Sequence, residues 1–314
     1  MTRFSNAFLR DRLEGKVHVA VFGKHPAWTD HIDDLGVTTE SLAMVKRLLY
    51  LEGIAGQLAS GAWDRIEKSG QALDFDHRFV WRRGEQALVG AIWASRDGKG
   101  RTRFPIVICA HIPGGGAVPV YLSSIELLGL ECRSAASQEA VRDFQSRTCA
   151  ELNIRTYSDP APPTSLALDD KDRSADLILE ALIGLASGLK RVPQRGFGNR
   201  RAGTHLRVAS VSPQPPKNLE FWLGYLERRV AARQPHLVMA GSAGSPVDLI
   251  LGEPEPNDFF CLRANEAVLP PWRCDARDRV RFEAEAIEYL HSRGIGLRLA
   301  PTRRRSWLAR FLVN

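Results

Sequence analysis

The sequence is poor in cysteine, has no long apolar run and carries no acidic residue in its last 22 positions. Its five cysteines, Cys109, Cys132, Cys149, Cys261 and Cys274, are odd in number and widely spaced. No C-x-x-C pair and no histidine at zinc-finger distance accompanies them, so the simplest reading is a reduced, cytoplasmic protein. The longest greasy stretch, Leu177 to Leu189, contains Glu180 and falls far short of the ~20 residues that span a bilayer. Met1 to Gly15 is charged and lacks an apolar core, so neither a membrane span nor a secretory signal is expected. Hydrophobic residues at 44% and charged residues at 25% exclude collagenous, low-complexity and wholly disordered chains.

The formal net charge of +7 is unevenly spread. Six arginines (Arg293, Arg298, Arg303, Arg304, Arg305 and Arg310) lie from position 293 onward, which leaves +1 for residues 1–292. A nucleic-acid binder would carry its basic face on the fold itself, so no nucleic-acid partner is expected. Within this tail Trp307, Leu308, Phe311 and Leu312 are spaced for one side of a helix, with Arg303, Arg304, Arg305 and Arg310 elsewhere. Such a segment suits an anionic membrane surface, an acidic partner, or docking on the body of the chain.

At 314 residues the chain has room for two ordinary domains. Alternation from Val17 to Phe22 marks a strand ended by Gly23. Thr38 or Thr39 caps a helix that runs from Glu40 to Gly61. Leu73, Phe75, His77, Phe79 and Trp81 alternate on one face of a second strand, and turns at Arg83-Gly84 and Asp97-Gly98 fold Gln86–Ala94 and Phe104–His111 back as an antiparallel meander. A helix starts at Ser137. Past a Pro- and Asp-rich break come a helix, a strand from Thr204, a helix from Asn218, three short apolar runs (His236–Ala240, Val247–Leu251, Asp258–Leu262) and a helix from Asp275 to His291. The order β-α-β-β-β-α thus occurs twice. It predicts an α/β (α+β) fold of two longin-like or roadblock-like modules, mainly antiparallel sheets with helices packed on them. The corresponding divisions are 1–156 and 174–292 for the modules, 157–173 for a linker and 293–314 for the tail.

The densest set of reactive side chains is Lys24 to Asp34, on the loop leaving the first strand. His25, Asp30 and His31, with Asp33 and Asp34 beside them, could serve a metal-dependent hydrolase. Their spacing matches no helical H-E-x-x-H or calcium-loop template, and Asp30-His31 reverses the order found in metal phosphohydrolases. A structural or partner-binding loop with Pro26 and Trp28 tucked beneath it is the preferred reading. Arg195-Gly196-Phe197-Gly198 follows a helix rather than a strand, so it is no phosphate loop. Gly241 to Gly244 leads into another strand, which makes Ser242 a hairpin residue rather than a nucleophile. The face Leu73, Phe75, His77, Phe79 and Trp81 reads as core rather than as a base-stacking platform. No cofactor is implied.

Phe22-Gly23-Lys24-His25-Pro26 followed by Asp30, and Arg101-Thr102-Arg103-Phe104-Pro105 after Gly100, resemble the TagF family of type VI secretion accessory proteins. That family has F/Y-G-K-x-P with an Asp soon after its first strand, and G-R-x-F-P entering a later one. Phe22, Gly23, Lys24, Pro26 and Asp30 match the first motif; Arg101 or Arg103 with Phe104 and Pro105 match the second, one residue longer. The resemblance spans roughly residues 16–112, and His31 to Gly36 reads as an elaboration of the loop. It implies a cytoplasmic, non-catalytic regulator that represses a type VI-like secretion system after translation by binding a forkhead-associated scaffold protein. The tail residues Arg303, Arg304, Arg305, Trp307 and Phe311 are a separate candidate for interaction.

Overall fold

The computed structural model describes residues 15–116, 118–156, 175–191, 204–231, 234–242, 244–273 and 276–295. In chain order they form β1 (His18–Lys24), β2 (His31–Leu35) and α1 (Glu40–Val45), which continues through a π-helical stretch (Lys46–Ile54) into α2 (Ala55–Ala59). Then come α3 (Ala62–Lys68), β3 (Asp76–Arg83), β4 (Gln86–Trp93), β5 (Ile106–Ile112), α4 (Val118–Ser134), α5 (Gln138–Thr156) and α6 (Ala175–Arg191). The remainder is β6 (Thr204–Val208), α7 (Pro215–Arg229), β7 (His236–Ala240), β8 (Val247–Leu251), a 3₁₀ helix (Pro256–Leu262) and α8 (Ala276–Ser292).

The fold is mixed α/β with antiparallel strands. All eight described strands join one sheet in the order β2-β1-β5-β4-β3-β7-β8-β6, and each pairing is antiparallel. The two repeated halves meet where β3 pairs with β7, setting Phe79 opposite Met239 and Trp81 opposite Leu237. Two cores follow from this, one on each face of the sheet. Val19, Val21, Val89, Ile108 and Val238 share one with residues of α4 to α8; Phe22, Phe79, Trp81, Ile92 and Met239 share the other with α1, the π-helical stretch, α3 and the 3₁₀ helix. Central β4 is buried at every position, as a strand covered on both faces must be.

The meander β3-β4-β5 follows the turn chemistry of Arg83-Gly84 and Asp97-Gly98. Thr39 is the helix cap, its Oγ1 accepting from the Leu42 N–H at 3.2 Å. His77, Phe79 and Trp81 are buried on β3, as a core strand requires, whereas Leu73 and Phe75 precede the strand and Leu73 is only half-buried. Several assignments change. Past Gly61, where the expected helix ends, Ala62–Lys68 forms the further helix α3. Asp258–Leu262 is not a strand but part of the 3₁₀ helix: Pro256 suits its start, and Glu255 and Asp258 cap each other reciprocally. His31–Leu35 is the edge strand β2 rather than a loop elaboration. Val118–Ser134, to which the periodicity assigns no element, is the 17-residue helix α4, because Leu127 and Leu130 on its outer face blur the apolar stripe. Residues 157–174 and the glycine-rich stretch 195–203 lie outside the described residues.

Helix α4 seats on the sheet through a notch. A β-carbon on Gly129 would lie 2.2 Å from Trp93, whose ring has the Arg78 and Arg133 guanidiniums 5.3 and 5.0 Å from its centre. Toward the other end of the sheet His111 is fully buried against His18, with neither ring nitrogen hydrogen-bonded. Burial, helped by His18 and Arg83, pushes its pKa down to about 4.

Gly129→Ala should destabilise the fold by about 1–3 kcal/mol in urea unfolding, through forced displacement of Trp93. The unfolded chain protonates His111 first, so the wild type loses stability as pH falls from about 6.5 toward 4. His111→Leu should flatten that decline without lowering the melting temperature at pH 7.5; an unchanged acid slope would refute the assignment.

Candidate functional site

A lysine at the end of a buried strand needs a counter-charge, since an isolated ammonium there would stay in the apolar interior at prohibitive cost. Lys24 is such a lysine, and Asp97 supplies the charge. Lys24 Nζ lies 2.9 Å from Asp97 Oδ2 and 2.5 Å from Asp30 Oδ1. The Asp97 carboxylate is fully enclosed and accepts four bonds: Lys24 Nζ and Arg101 Nε at Oδ2, the Lys99 and Arg101 backbone N–H groups at Oδ1. Burial works to raise the Asp97 pKa, but the bonds from Lys24 and Arg101 outweigh it and hold the carboxyl well below the usual range. At the surface Asp30 is lowered chiefly by its bond to Lys24. His31 is lowered by burial and by the Lys24 charge, partly opposed by Asp30.

The two sequence motifs, some seventy residues apart, are therefore one structural corner. Gly23 adopts φ 107°, and a β-carbon there would sit 2.3 Å from the Pro105 carbonyl oxygen, which instead accepts the Lys24 N–H at 3.0 Å. The Arg101 guanidinium reaches Thr29 O at 3.1 Å and Asp30 at 3.2 Å. Phe104 packs edge-on to His31, 5.2 Å away, and beside Tyr50, whose hydroxyl donates to Pro105 O and whose ring meets Phe22. Tyr50 comes from the π-helical stretch. Sequence patterns missed Asp97 and Tyr50; the unaccompanied Lys24 on a buried strand was the signal for the first, and nothing marked the second.

The other motif residues frame the outside of this corner. Arg103 is exposed and pairs with Asp64 at 2.5 Å on the rim of a cleft of about 520 Å³. Glu67, Asp74, Phe75, Ser95 and Arg263 also line it, and the Ser95 hydroxyl donates to Lys24 O at 2.7 Å. Pro26 is exposed rather than tucked under the loop, whereas Trp28 and His25 are buried. His25 Nε2 donates to Cys132 O at 2.7 Å and its Nδ1 accepts from the Ala27 N–H at 3.0 Å. Both ring nitrogens are thus used, so His25 has no lone pair to offer a metal, while Asp30 Oδ1 is shared by Lys24, His31 and Arg101. The tail candidates Arg303, Arg304, Arg305, Trp307 and Phe311 lie outside the described residues.

A second polar cluster lies across the sheet. His205, Asp248 and Cys261 bring potential metal-ligating atoms within 4.8 Å of one another. Arg207 already fills this space: its Nε and Nη2 bond the two Asp248 oxygens at 2.7 and 2.8 Å, and His205 Nε2 lies 2.8 Å from Oδ1. The same guanidinium donates to the carbonyls of Cys261, Ala264 and Leu269. Burial works to raise Asp248, but His205 and Arg207 bring it down to about 2, while burial pushes the Cys261 thiol well up. A cation would have to displace a buried guanidinium and ionise that thiol, so the cluster is a structural tie between β6, β8 and the 3₁₀ helix.

No protein-family model and no curated protein matches this sequence. Among solved structures, the crystal structure of PA0076 from Pseudomonas aeruginosa PAO1 aligns over 78% of this chain and 94% of its own at 17% identity, with a TM-score of 0.37. A likeness this slight identifies neither family nor function.

Asp97→Asn should lower the melting temperature by several degrees at neutral pH, since Lys24 would face a neutral amide. Lys24→Met should cost less, because Asp97 keeps Arg101. Asp97 has a depressed folded-state pKa, so its contribution is complete above its unfolded value of about 4 and fades as pH falls below it. The gap between wild type and Asp97→Asn should therefore close in acid; a gap independent of pH would disprove the ion-pair account.

Proposed function

We propose that this chain is a non-catalytic, protein-binding regulator of the TagF type, acting in a type VI-like secretion system through a forkhead-associated scaffold in the cytoplasm. The convergence of both motifs on the Lys24–Asp97 network carries this reading. The charged atoms of the network are satisfied by one another, so it holds a surface in shape rather than poising a group for chemistry. Asp30, Arg101, Thr102 and Arg103 stand exposed above it and form the docking surface. The alternative of a metal-dependent hydrolase would need His25, whose two ring nitrogens are engaged.

Purified forkhead-associated scaffold from the same cells should bind the full chain in calorimetry. Arg103→Glu, at a side chain 60% exposed, should weaken binding about tenfold, or ~1.4 kcal/mol, with the fold retained by circular dichroism and at most a small drop in melting temperature from loss of the Asp64 pair. Absence of binding by the wild type, or binding untouched by both Arg103→Glu and Asp30→Ala, would sink the proposal.

A further inference from the structure

Strand β5 leaves the sheet through Pro113-Gly114-Gly115-Gly116, and the chain then enters helix α4 at Val118. A glycine-rich turn between a strand and a helix N-terminus suits an anion, because the unpaired N–H groups of the first turn and the helix dipole both favour negative charge. Gly115 and Gly116 have φ 75° and 40°, a conformation that side chains resist, and Gly114 and Gly116 are exposed. Pro119 has no N–H to satisfy. The Val118 and Val120 N–H groups have no acceptor among the described residues.

Two side chains converge on this helix end. Tyr121 is only 5% exposed, its hydroxyl has no hydrogen-bond partner, and that oxygen lies 2.8 Å from the place a β-carbon on Gly116 would take. A hydroxyl on a buried side chain normally finds a partner, and this one is directed at the open glycine turn. Arg82 arrives from β3, its Nη1 donating to Gly115 O at 2.7 Å. Among the described residues the one carboxylate within ion-pair reach of it is Glu227, 3.4 Å from Nη2 and itself 55% exposed. Burial opposes the Arg82 charge more than Glu227 supports it, so its pKa is lowered and the charge stays partly uncompensated.

We propose that the Pro113–Gly116 turn and the first turn of α4 bind a single phosphoryl group, as inorganic phosphate or a small phosphate monoester. The Val118 and Val120 N–H groups and the Tyr121 hydroxyl donate to its oxygens, and Arg82 supplies the counter-charge. The lysine and adjoining Ser or Thr that triphosphate loops place after their glycines are missing, which limits the ligand to one phosphoryl group. This inference is independent of the scaffold-binding reading, since the turn and the Lys24–Asp97 corner lie at opposite ends of the sheet.

The test titrates the full chain with inorganic phosphate and with phenyl phosphate, read by calorimetry and by the backbone amide shifts of α4. One saturable site is expected, with the largest shifts at Val118 and Val120. Tyr121→Phe should weaken binding roughly tenfold, through loss of a bond to a charged acceptor, and should leave the melting temperature without phosphate unchanged. Arg82→Gln should abolish saturable binding. Arg83→Gln should not, because Arg83 stacks on Trp81 on the other face of the sheet. Should Arg82→Gln fail to fold, Tyr121→Phe and the amide shifts decide. Preference for phenyl phosphate marks an esterified ligand and preference for phosphate the free ion, and either supports the site. Absence of saturable binding, binding untouched by Tyr121→Phe, or equal losses in Arg83→Gln and Arg82→Gln overturns the proposal.

Discussion

The ladder between β3 and β7 is the contact on which the rest of the molecule depends. It joins strands from the two halves of the chain and converts two groups of strands into a sheet with a continuous core on each face. Each half alone would present an open strand edge with unpaired backbone groups and the apolar side chains of Phe79, Trp81, Leu237 and Met239. Pairing them satisfies the backbone and buries those four residues together. The buried Arg207–Asp248 tie then fastens β6 and β8 to the 3₁₀ helix, which packs on the same face as Phe79 and Met239.

Enclosure on both faces also explains the character of the candidate site. The end of β1 lies deep enough that Lys24 must find its charge partner within the protein, and Asp97 can be buried because four donors surround it. The loops after β1 and β4 are thereby locked together, with Gly23 admitting the Pro105 carbonyl at a distance no side chain would allow. An exposed rim results, made of Asp30, Arg101 and Arg103, each held by an ion pair. On the proposed reading of this rim as a docking surface, such fixing would lower the ordering cost of association. The Asp248 cluster follows the opposite logic: its donors look like a metal set only until Arg207 is added, and the guanidinium then occupies the place an ion would take.

Local patterns settled much of the architecture. Alternation and turn residues specified the β3-β4-β5 meander, Thr39 its helix start, and the position of Ser242 between two strands its place in a hairpin. These features depend on neighbours in sequence, so they are readable there. The motif residues Phe22, Gly23, Lys24, Pro26, Asp30, Arg101, Arg103, Phe104 and Pro105 were likewise visible, as two separate segments.

Tertiary structure alone decided what those segments do to each other. Asp97 looked like an ordinary turn residue, and its role as the buried partner of Lys24 arises only because β1 and β5 are neighbours in the sheet. Helix α4 escaped notice because outward leucines hide its periodicity, and the 3₁₀ helix because a short apolar run has no period of its own. The same holds for the single sheet: strand composition by itself sets local conformation, but which edge meets which is chosen by the burial that pairing achieves across the whole chain.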